Sequence, residues 1–384
     1  MKKGLKIAII TVSSVIGAVV LGAGAFVGYV LLSYNRIGDT ALEVDANSTA
    51  KMQVGTAYKA MSYNIGFGAY SQDYTFFMDT GYDENGEPTC GHWSTARSRE
   101  EVEFNTAGAI QTAKDSGADF ICFQEVDTKS TRSYKINQDT LISEAFPAMN
   151  HIHCPNFHTA FLPYPLYDMH GSVHAGLTTL SKFEVEEAGR KEYTVATDFS
   201  KFFDLDRCFS YMKIPTSNNK YFYMVNSHMS AYDEGGTIRS AQVAEMNAFL
   251  QERKTAGDYV IVAGDFNHDL LTNNPAFAYD STHRPFGETK KSPDWVSFYF
   301  DENKQSPLID GYHVVASDNY PTCRNNDIEW IPGKTFTCVV DGFIVSDNIT
   351  VISHQNIQTK NGKKGLDGFA FADHDPALIE FGLS

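Results

Sequence analysis

Val260-Ile261-Val262-Ala263-Gly264-Asp265-Phe266-Asn267 is the stretch from which the fold is read. Four apolar residues run into a glycine, and an acid and an amide then flank one aromatic. An apolar run of this length, closed by a turn residue, predicts a buried strand. Side chains alternate along a strand, so Asp265 and Asn267 fall on one side and Phe266 on the other. A carboxylate and a carboxamide leaving a buried strand need partners, because burying them unpaired costs several kcal/mol. A metal, a phosphate or an activated water would serve; an Asp/Asn turn after a strand is the plainer alternative.

The same arrangement recurs along the chain. Asn64 follows Met61-Ser62-Tyr63, Glu125 ends Phe120-Ile121-Cys122-Phe123-Gln124, and His228 follows Tyr223-Met224-Val225-Asn226-Ser227. Asp341 follows Val339-Val340, and Asp373-His374 precedes the closing strand Ala377 to Phe381. Ligands of α/β folds gather beside strand ends. Singly, each residue has an ordinary reading: Asn64 a turn residue, Glu125 an exposed strand end, His228 a satisfied core histidine, Asp373 a cap before Pro376.

Together these residues carry a resemblance. The ordered elements are Ser62-Tyr63-Asn64-Ile65, Phe123-Gln124-Glu125-Val126, Asn226-Ser227-His228, Gly264-Asp265-Phe266-Asn267, Val340-Asp341-Gly342-Phe343 and Asp373-His374-Asp375-Pro376. This set resembles the endonuclease/exonuclease/phosphatase superfamily, which includes pancreatic deoxyribonuclease, abasic-site endonucleases, neutral sphingomyelinases and inositol-polyphosphate phosphatases. The resemblance spans residues 57–384. It implies an α/β, four-layer sandwich of two mixed β-sheets with helices on the outer faces, and a metal-dependent phosphoric ester hydrolase. By the same resemblance Glu125 is the main Mg²⁺ ligand, with Mn²⁺ the other candidate ion, and Asn64 and Asp373 complete or support the metal site. Asp265 orients or deprotonates the attacking water, Asn267 and His228 bind the phosphate, His374 is the second phosphate-binding histidine, and Asp341 fixes a catalytic histidine. The chemistry is consistent with those roles: phosphodiester hydrolysis needs a cation, an activated water and an acid for the leaving oxygen. Two positions depart from the pattern. Ala372 replaces a common serine, and Gly342 stands where relatives often carry tyrosine or arginine.

Ile7 to Leu32 carries no charge, follows Lys2, Lys3 and Lys6, and precedes Arg36. The run is long enough to span a hydrocarbon core of roughly 30 Å, and longer than the apolar region of a cleaved signal peptide. Residues 1–36 therefore read as an N-terminal transmembrane helix acting as a signal anchor, and the three lysines place the N-terminus in the cytoplasm. The expectation is a single-pass protein of the cell membrane, with residues 37–56 as a polar connector and 57–384 as an extracellular catalytic domain. Without Lys2, Lys3, Lys6 and Arg36 the body holds 27 basic and 47 acidic residues, net −20, which argues against broad adhesion to polyanions.

Secondary structure follows from periodicity. Strands are predicted at Tyr58–Ile65, Phe120–Glu125, Tyr259–Gly264 and Val339–Val345, and a hairpin at Tyr211–Ile214 and Tyr221–Asn226. Helices are predicted at Glu100–Ser116, 137–146 and Thr237–Lys254. Asn85-Gly86 signals a two-residue hairpin turn, and residues 152–181 read as short strands alternating with turns. Cys122 reads as a core thiol, and Cys323 with Cys338 as the best disulfide pair. His151, His153, His158, His170 and His174 crowd one segment; strand-face positions are favoured over a second metal site.

The substrate is expected to be a phosphate ester, either nucleic acid or a phospholipid head group. Nucleic acid calls for a basic, aromatic-lined groove, and none is visible in the sequence. A lipid calls for an exposed apolar loop, which Tyr74 to Phe77 or Phe157 to Tyr167 could supply. Arg132 and Arg207 could extend the phosphate contacts. A sphingomyelinase-like or phosphoinositide phosphatase-like enzyme is the alternative to a nuclease. A non-catalytic binding protein on the same fold is the alternative outside enzymes. No protein partner is expected.

Overall fold

The computed structural model describes residues 3–33, 35–83, 85–197, 201, 204–231, 236–272 and 306–384. The first element is α1 (Lys3–Ser33), a 31-residue helix in which Val30 alone is buried. It is long and apolar enough to cross a membrane.

Two sheets follow. The first has seven strands: β1 (Thr40–Ala41), β8 (Glu187–Glu192), β9 (Cys208–Pro215), β10 (Tyr221–His228), β11 (Tyr259–Asp265), β15 (Asp341–Ser346) and β12 (Tyr312–Val315), in that spatial order. The second runs β16 (Ile349–Asn356), β17 (Ala377–Leu383), β2 (Ala57–Asn64), β5 (Phe120–Asp127), β7 (Gly171–Ser181) and β6 (Asn150–Leu162). Hairpins β3 (Thr80–Tyr82) with β4 (Pro88–Cys90), and β13 (Cys323–Arg324) with β14 (Thr337–Cys338), complete the strands. Each large sheet has one parallel pair, β10/β11 and β2/β5, and each pair is joined by a helix: α4 (Thr237–Ala256) in the first, α2 (Arg99–Ser116) in the second. A parallel pair needs such a crossover, because a tight turn cannot reverse the chain twice.

The apolar run at 260–263 has a simple cause. Ile261 and Ala263 face the core between the sheets, together with Phe222, Met224, Phe120 and Phe381. Val260 and Val262 face the opposite core beneath α4, with Met246 and Leu250. A strand buried on both faces has no polar side to show. On the second sheet α2 supplies Ala109 and Ala113 against Met61, Ile121 and Phe123, and α3 (Gln138–Ala145) adds Ile142. The order helix, sheet, sheet, helix is the four-layer sandwich expected from the motifs. Ser98 caps α2 by accepting from the Glu101 amide, and Gly117 ends it in the left-handed region at φ 67°.

Several sequence expectations are corrected. Residues 150–181 form two long strands rather than many short ones, because bulges near Pro155 and Thr159 interrupt the alternation that marks a strand. The 80–90 hairpin closes through a five-residue connection, 83–87, rather than two residues; the Asp83 side chain accepts from the Asn85 and Glu87 amides and widens the turn. The strand predicted from Val339 begins at Asp341, since Val339 and Val340 bond to Leu270 and Phe266 instead of a neighbouring strand. The connector 37–56 runs along the body. Thr40 and Ala41 pair with β8, Asp45 bridges to His151, and Met52 bridges to Thr216. All six cysteines are free thiols. Cys323 does stand opposite Cys338 in register, and a pair missed in the sequence, Cys154 and Cys208, brings its sulfurs to 3.6 Å.

His151, His153, His158 and His174 sit on strand faces, as favoured, whereas His170 lies in the turn before β7. His158 and His174 meet edge to face across β6 and β7 with ring centres 4.9 Å apart. Asp139 of α3 accepts from His151 Nε2 at 2.8 Å and Thr178 Oγ1 at 2.6 Å, and His153 Nδ1 lies 3.3 Å away. Asp45 closes the other side of His151 at 3.1 Å. Burial would push the Asp139 carboxyl up, but the His151 and His153 bonds hold it far below the carboxylate range. Burial would push His151 down, but Asp139 and then Asp45 hold it above its ordinary 6.5. A raised histidine stabilises fully below its unfolded value and loses that contribution as pH climbs through its folded value. A depressed carboxyl stabilises above its unfolded value and loses that contribution as pH falls. Both contributions are complete between about pH 4 and 6.5. Asp139→Asn is expected to lower stability by about 1–3 kcal/mol at pH 5.5 and by less at pH 9. Thermal melts of both proteins across that range check it; a penalty independent of pH refutes the charged pair.

Candidate active site

Register builds the site. On the first sheet His228 lies opposite Asp265, and Asp265 opposite Asp341, so three neighbouring strands present one row. The row demands glycine beside it. A Cβ on Gly264 would lie 2.2 Å from the Ser227 carbonyl oxygen, and one on Gly342 would lie 2.7 Å from Leu270. The departure at Gly342 thus follows from how closely this chain packs there. Ala372, the other departure, is buried in the core beneath α2.

On the second sheet Asn64 ends β2, opposite Gln124. The β5/β7 register then slips between Phe123 and Val126, and Glu125 takes φ 55°. A bulge of this kind re-aims a side chain at a strand end. It turns Glu125 to Asn64, whose Nδ2 donates to Glu125 Oε1 at 3.3 Å and to Asp265 Oδ2 at 2.9 Å. That second bond joins the two sheets. A buried lattice below it does the same: Gln124 Nε2 donates to Asn226 Oδ1 at 2.8 Å, and Asn226 Nδ2 donates to Thr179 Oγ1 at 3.1 Å.

Asp265 Oδ2 is the hub. Besides Asn64, His228 Nε2 stands 3.4 Å away and His374 Nε2 3.7 Å. Asp265 Oδ1 accepts from the Asn267 amide at 2.8 Å. The strand ends at Asp265, and Asn267 lies beyond it at φ 52°, its side chain donating to the Met229 carbonyl. Strand alternation therefore does not place Asn267. The turn that looked like the alternative reading is present, and it seats Asn267 on the cavity wall. His374 Nδ1 bonds Asp341 Oδ2 at 2.7 Å.

The two histidines are driven apart electrostatically. Burial would lower His374, but Asp341 and Asp265 outweigh it and hold the imidazole well above its usual value. His228 is pushed well below, by burial first and by Arg207 and His374 after it. One is thus cationic and the other neutral near pH 7, the pattern that separates acid and base roles. The Glu125 carboxyl is pushed up to about 6 by burial, with Arg132 opposing and Asp373 reinforcing. Asp373 accepts from Asn326 Nδ2 at 2.9 Å.

Two groups could hold a cation. Donor atoms of Asp265, Asp341 and His374 lie within 4.8 Å of one another, the only such group of His, Cys, Asp or Glu among the described residues. Its imidazole Nδ1 is already engaged by Asp341. Glu125 and Asp373 offer oxygens alone, as hard divalent cations require, while Asn64 supports Glu125 through Nδ2 and its Oδ1 accepts from the Gly66 amide.

Glu125, His228, Asp265, Asn267, Asp373 and His374 line a cavity of about 770 Å³, with Asn64 and Asp341 behind them. Its other walls are Phe67, Phe76, Phe77, Leu162, Tyr164 and Leu205. Three arginines reach it, of which the sequence singled out two. Arg132 is committed: both sides of its fork bind Asp127, and the guanidinium lies 3.8 Å over the Phe67 ring. Arg324, missed in the sequence, donates to the carbonyls of Ser71 and Tyr74. Arg207 is 4 % exposed; its Nη2 lies 4.0 Å from Asp204 Oδ1, and its Nε and Nη1 have no partner among the described residues. A basic, aromatic wall absent from any sequence window is thus assembled by the fold.

The sequence matches the Endonuclease/Exonuclease/phosphatase family over residues 61–324, more than half of the chain. The chain belongs to that family. No curated protein matches it. Among solved structures, the 2',3'-cyclic phosphatase ANGEL2 superposes with TM-score 0.51 at 14% identity, covering 89% of this chain and 98% of its own. Caenorhabditis elegans TDP2 gives TM-score 0.51 at 12% identity, covering 86% and 75%. A family protein from Bacteroides thetaiotaomicron gives 0.50 at 14%, covering 86% and 96%. At these identities the three share its fold.

Proposed function

We propose that the body is a divalent-metal-dependent phosphoester hydrolase, held at the outer face of the cell membrane by α1. The observation that carries this reading is Asp265 Oδ2, on which Asn64, His228 and His374 converge from both sheets. In this reading Asp265 orients the attacking water and takes up its proton. His374, kept charged by Asp341, and the neutral His228 hold the phosphate with Asn267, and the unpaired nitrogens of Arg207 extend that grip. The water oxygen bonds to phosphorus, one P–O ester bond breaks, and a proton is delivered to the leaving alkoxide. Glu125 and Asp373 would hold Mg²⁺ or Mn²⁺, with Asn64 supporting Glu125; a buried carboxyl raised to about 6 beside a second acid favours a cation there. When bound, the ion neutralises the phosphate and polarises it.

Membrane tethering rests on α1, and the exported orientation on Lys2, Lys3 and Lys6. The test is turnover of bis(p-nitrophenyl) phosphate, p-nitrophenyl phosphate and plasmid DNA by the full chain, with Mg²⁺ and with EDTA. Metal-dependent hydrolysis of at least one is expected. No turnover, together with no metal-induced rise in Tm, would favour a binding protein on this fold.

A further inference from the structure

The place where the membrane helix meets the body bears on what the cavity accepts. Strands β5 and β6 both pair antiparallel with β7, so they run in the same sense. The end of β6 therefore lies at the same edge of the sandwich as Glu125. It overhangs that edge: Leu162 pairs with Gly171, four residues further along β7 than Ala175, the partner of Asp127. The Phe161 amide meets Tyr29 Oη of α1 at 3.4 Å. A second attachment is independent of the first. Arg36, three residues past the end of α1, binds Asp206, Glu192 and the Tyr193 carbonyl. Asp206 lies two residues before Cys208, the register partner of His228. Both attachments place the helix exit at the catalytic edge.

The turn after β6 forms the rim at that edge, and it is apolar. Tyr164 is 68% exposed, Leu166 77%, Tyr167 63% and Met169 42%. The turn is fixed in shape: Asp168 accepts from the Ser94 and Thr95 amides at 2.7 and 3.0 Å, and His170 Nδ1 bonds the Ser94 carbonyl at 2.8 Å. Tyr164 both lines the cavity and packs on Phe77 inside it, ring centres 5.7 Å apart. Apolar surface therefore continues from the exposed rim into the cavity. The lining mixes charges, Asp79, Glu125, Asp204, Asp265 and Asp373 with Arg132, Arg207, Arg324 and the cationic His374. Tyrosines beside a helix exit suit a bilayer interface.

Resting on the proposed membrane-tethered hydrolase, we infer that the rim 164–169 docks on the bilayer and that the site takes a membrane-resident amphiphile. Its phosphate ester meets Asp265, and its apolar part leaves along Phe76, Phe77 and Tyr164. The bilayer covers the apolar rim, and the substrate enters sideways from it.

The full chain is reconstituted in vesicles of phosphatidylcholine, phosphatidylglycerol, phosphatidylinositol and sphingomyelin. Leu166→Trp fluorescence, after subtraction of the three native tryptophans, is expected to fall about two-fold with brominated acyl chains. Leu166→Glu is expected to slow head-group or phosphate release from the vesicles about ten-fold, while hydrolysis of bis(p-nitrophenyl) phosphate stays unchanged. Absent quenching, or equal effects on the vesicle and soluble substrates, overturns rim docking. Quenching without hydrolysis of any vesicle lipid, or faster cleavage of DNA or RNA, overturns the amphiphile. In each of those cases metal-dependent hydrolysis of the soluble ester leaves the hydrolase reading standing; its loss from the wild-type chain is the failure of that reading instead.

Discussion

Asp265→Asn is expected to lower turnover of bis(p-nitrophenyl) phosphate by roughly 10³-fold, within the range for removing a general base. The substitution keeps the volume and the contact with Asn64 but removes the charge on which two imidazoles and an amide converge. KM should change little, because phosphate binding is assigned to Asn267, Arg207 and the histidines. Stability is expected to hold or rise, since a buried acid beside Asp341 is released from like-charge repulsion. Steady-state kinetics and a thermal melt check both parts. An asparagine variant that keeps a tenth or more of wild-type kcat, with its fold intact, would sink the role given to Asp265.

Glu125→Gln is expected to remove the rise in Tm produced by Mg²⁺ and to cut metal-dependent turnover by roughly 10²-fold or more. The reasoning starts from the backbone. A non-glycine residue at φ 55° is held there by its surroundings, and the bulge in β5 spends a ladder position to aim one carboxylate at Asn64. Glutamine fits the same space and can still accept from Asn64, so the fold should survive. What disappears is the anionic oxygen. Thermal shift with and without Mg²⁺ reads this directly, without depending on any substrate. A glutamine variant with an undiminished shift would move the cation to Asp265, Asp341 and His374, whose donor atoms lie within 4.8 Å.

Much of this was legible in the sequence because it depends on local spacing. An apolar run ending in Gly264-Asp265 reports a strand buried on both faces, whatever it packs against. A glycine at 117 stops a helix wherever the helix lies. Ile7 to Leu32 reports its own length. The same locality set the errors. Asn267 was placed by alternation, yet hydrogen bonding between its amide and Asp265 had already ended the strand. Residues 150–181 lost their period where bulges shift it, and a pattern of two cannot be seen across a slip of one.

The sequence by itself determined the family, the two α/β halves and the identities of the acids, amides and histidines, since each is written in a few adjacent residues. Tertiary structure alone decided which of them touch. Register across β10, β11 and β15 put His228, Asp265 and Asp341 in one row, and inter-sheet packing brought Asn64 to them. It also committed Arg132 to Asp127, left Arg207 open, and set the helix exit beside the cavity. Arg132 and Asp127 apart, which are five residues from each other, these are contacts between residues tens to hundreds of positions apart. They arise when separate strands bury their apolar faces against one another, and no window along the chain contains them.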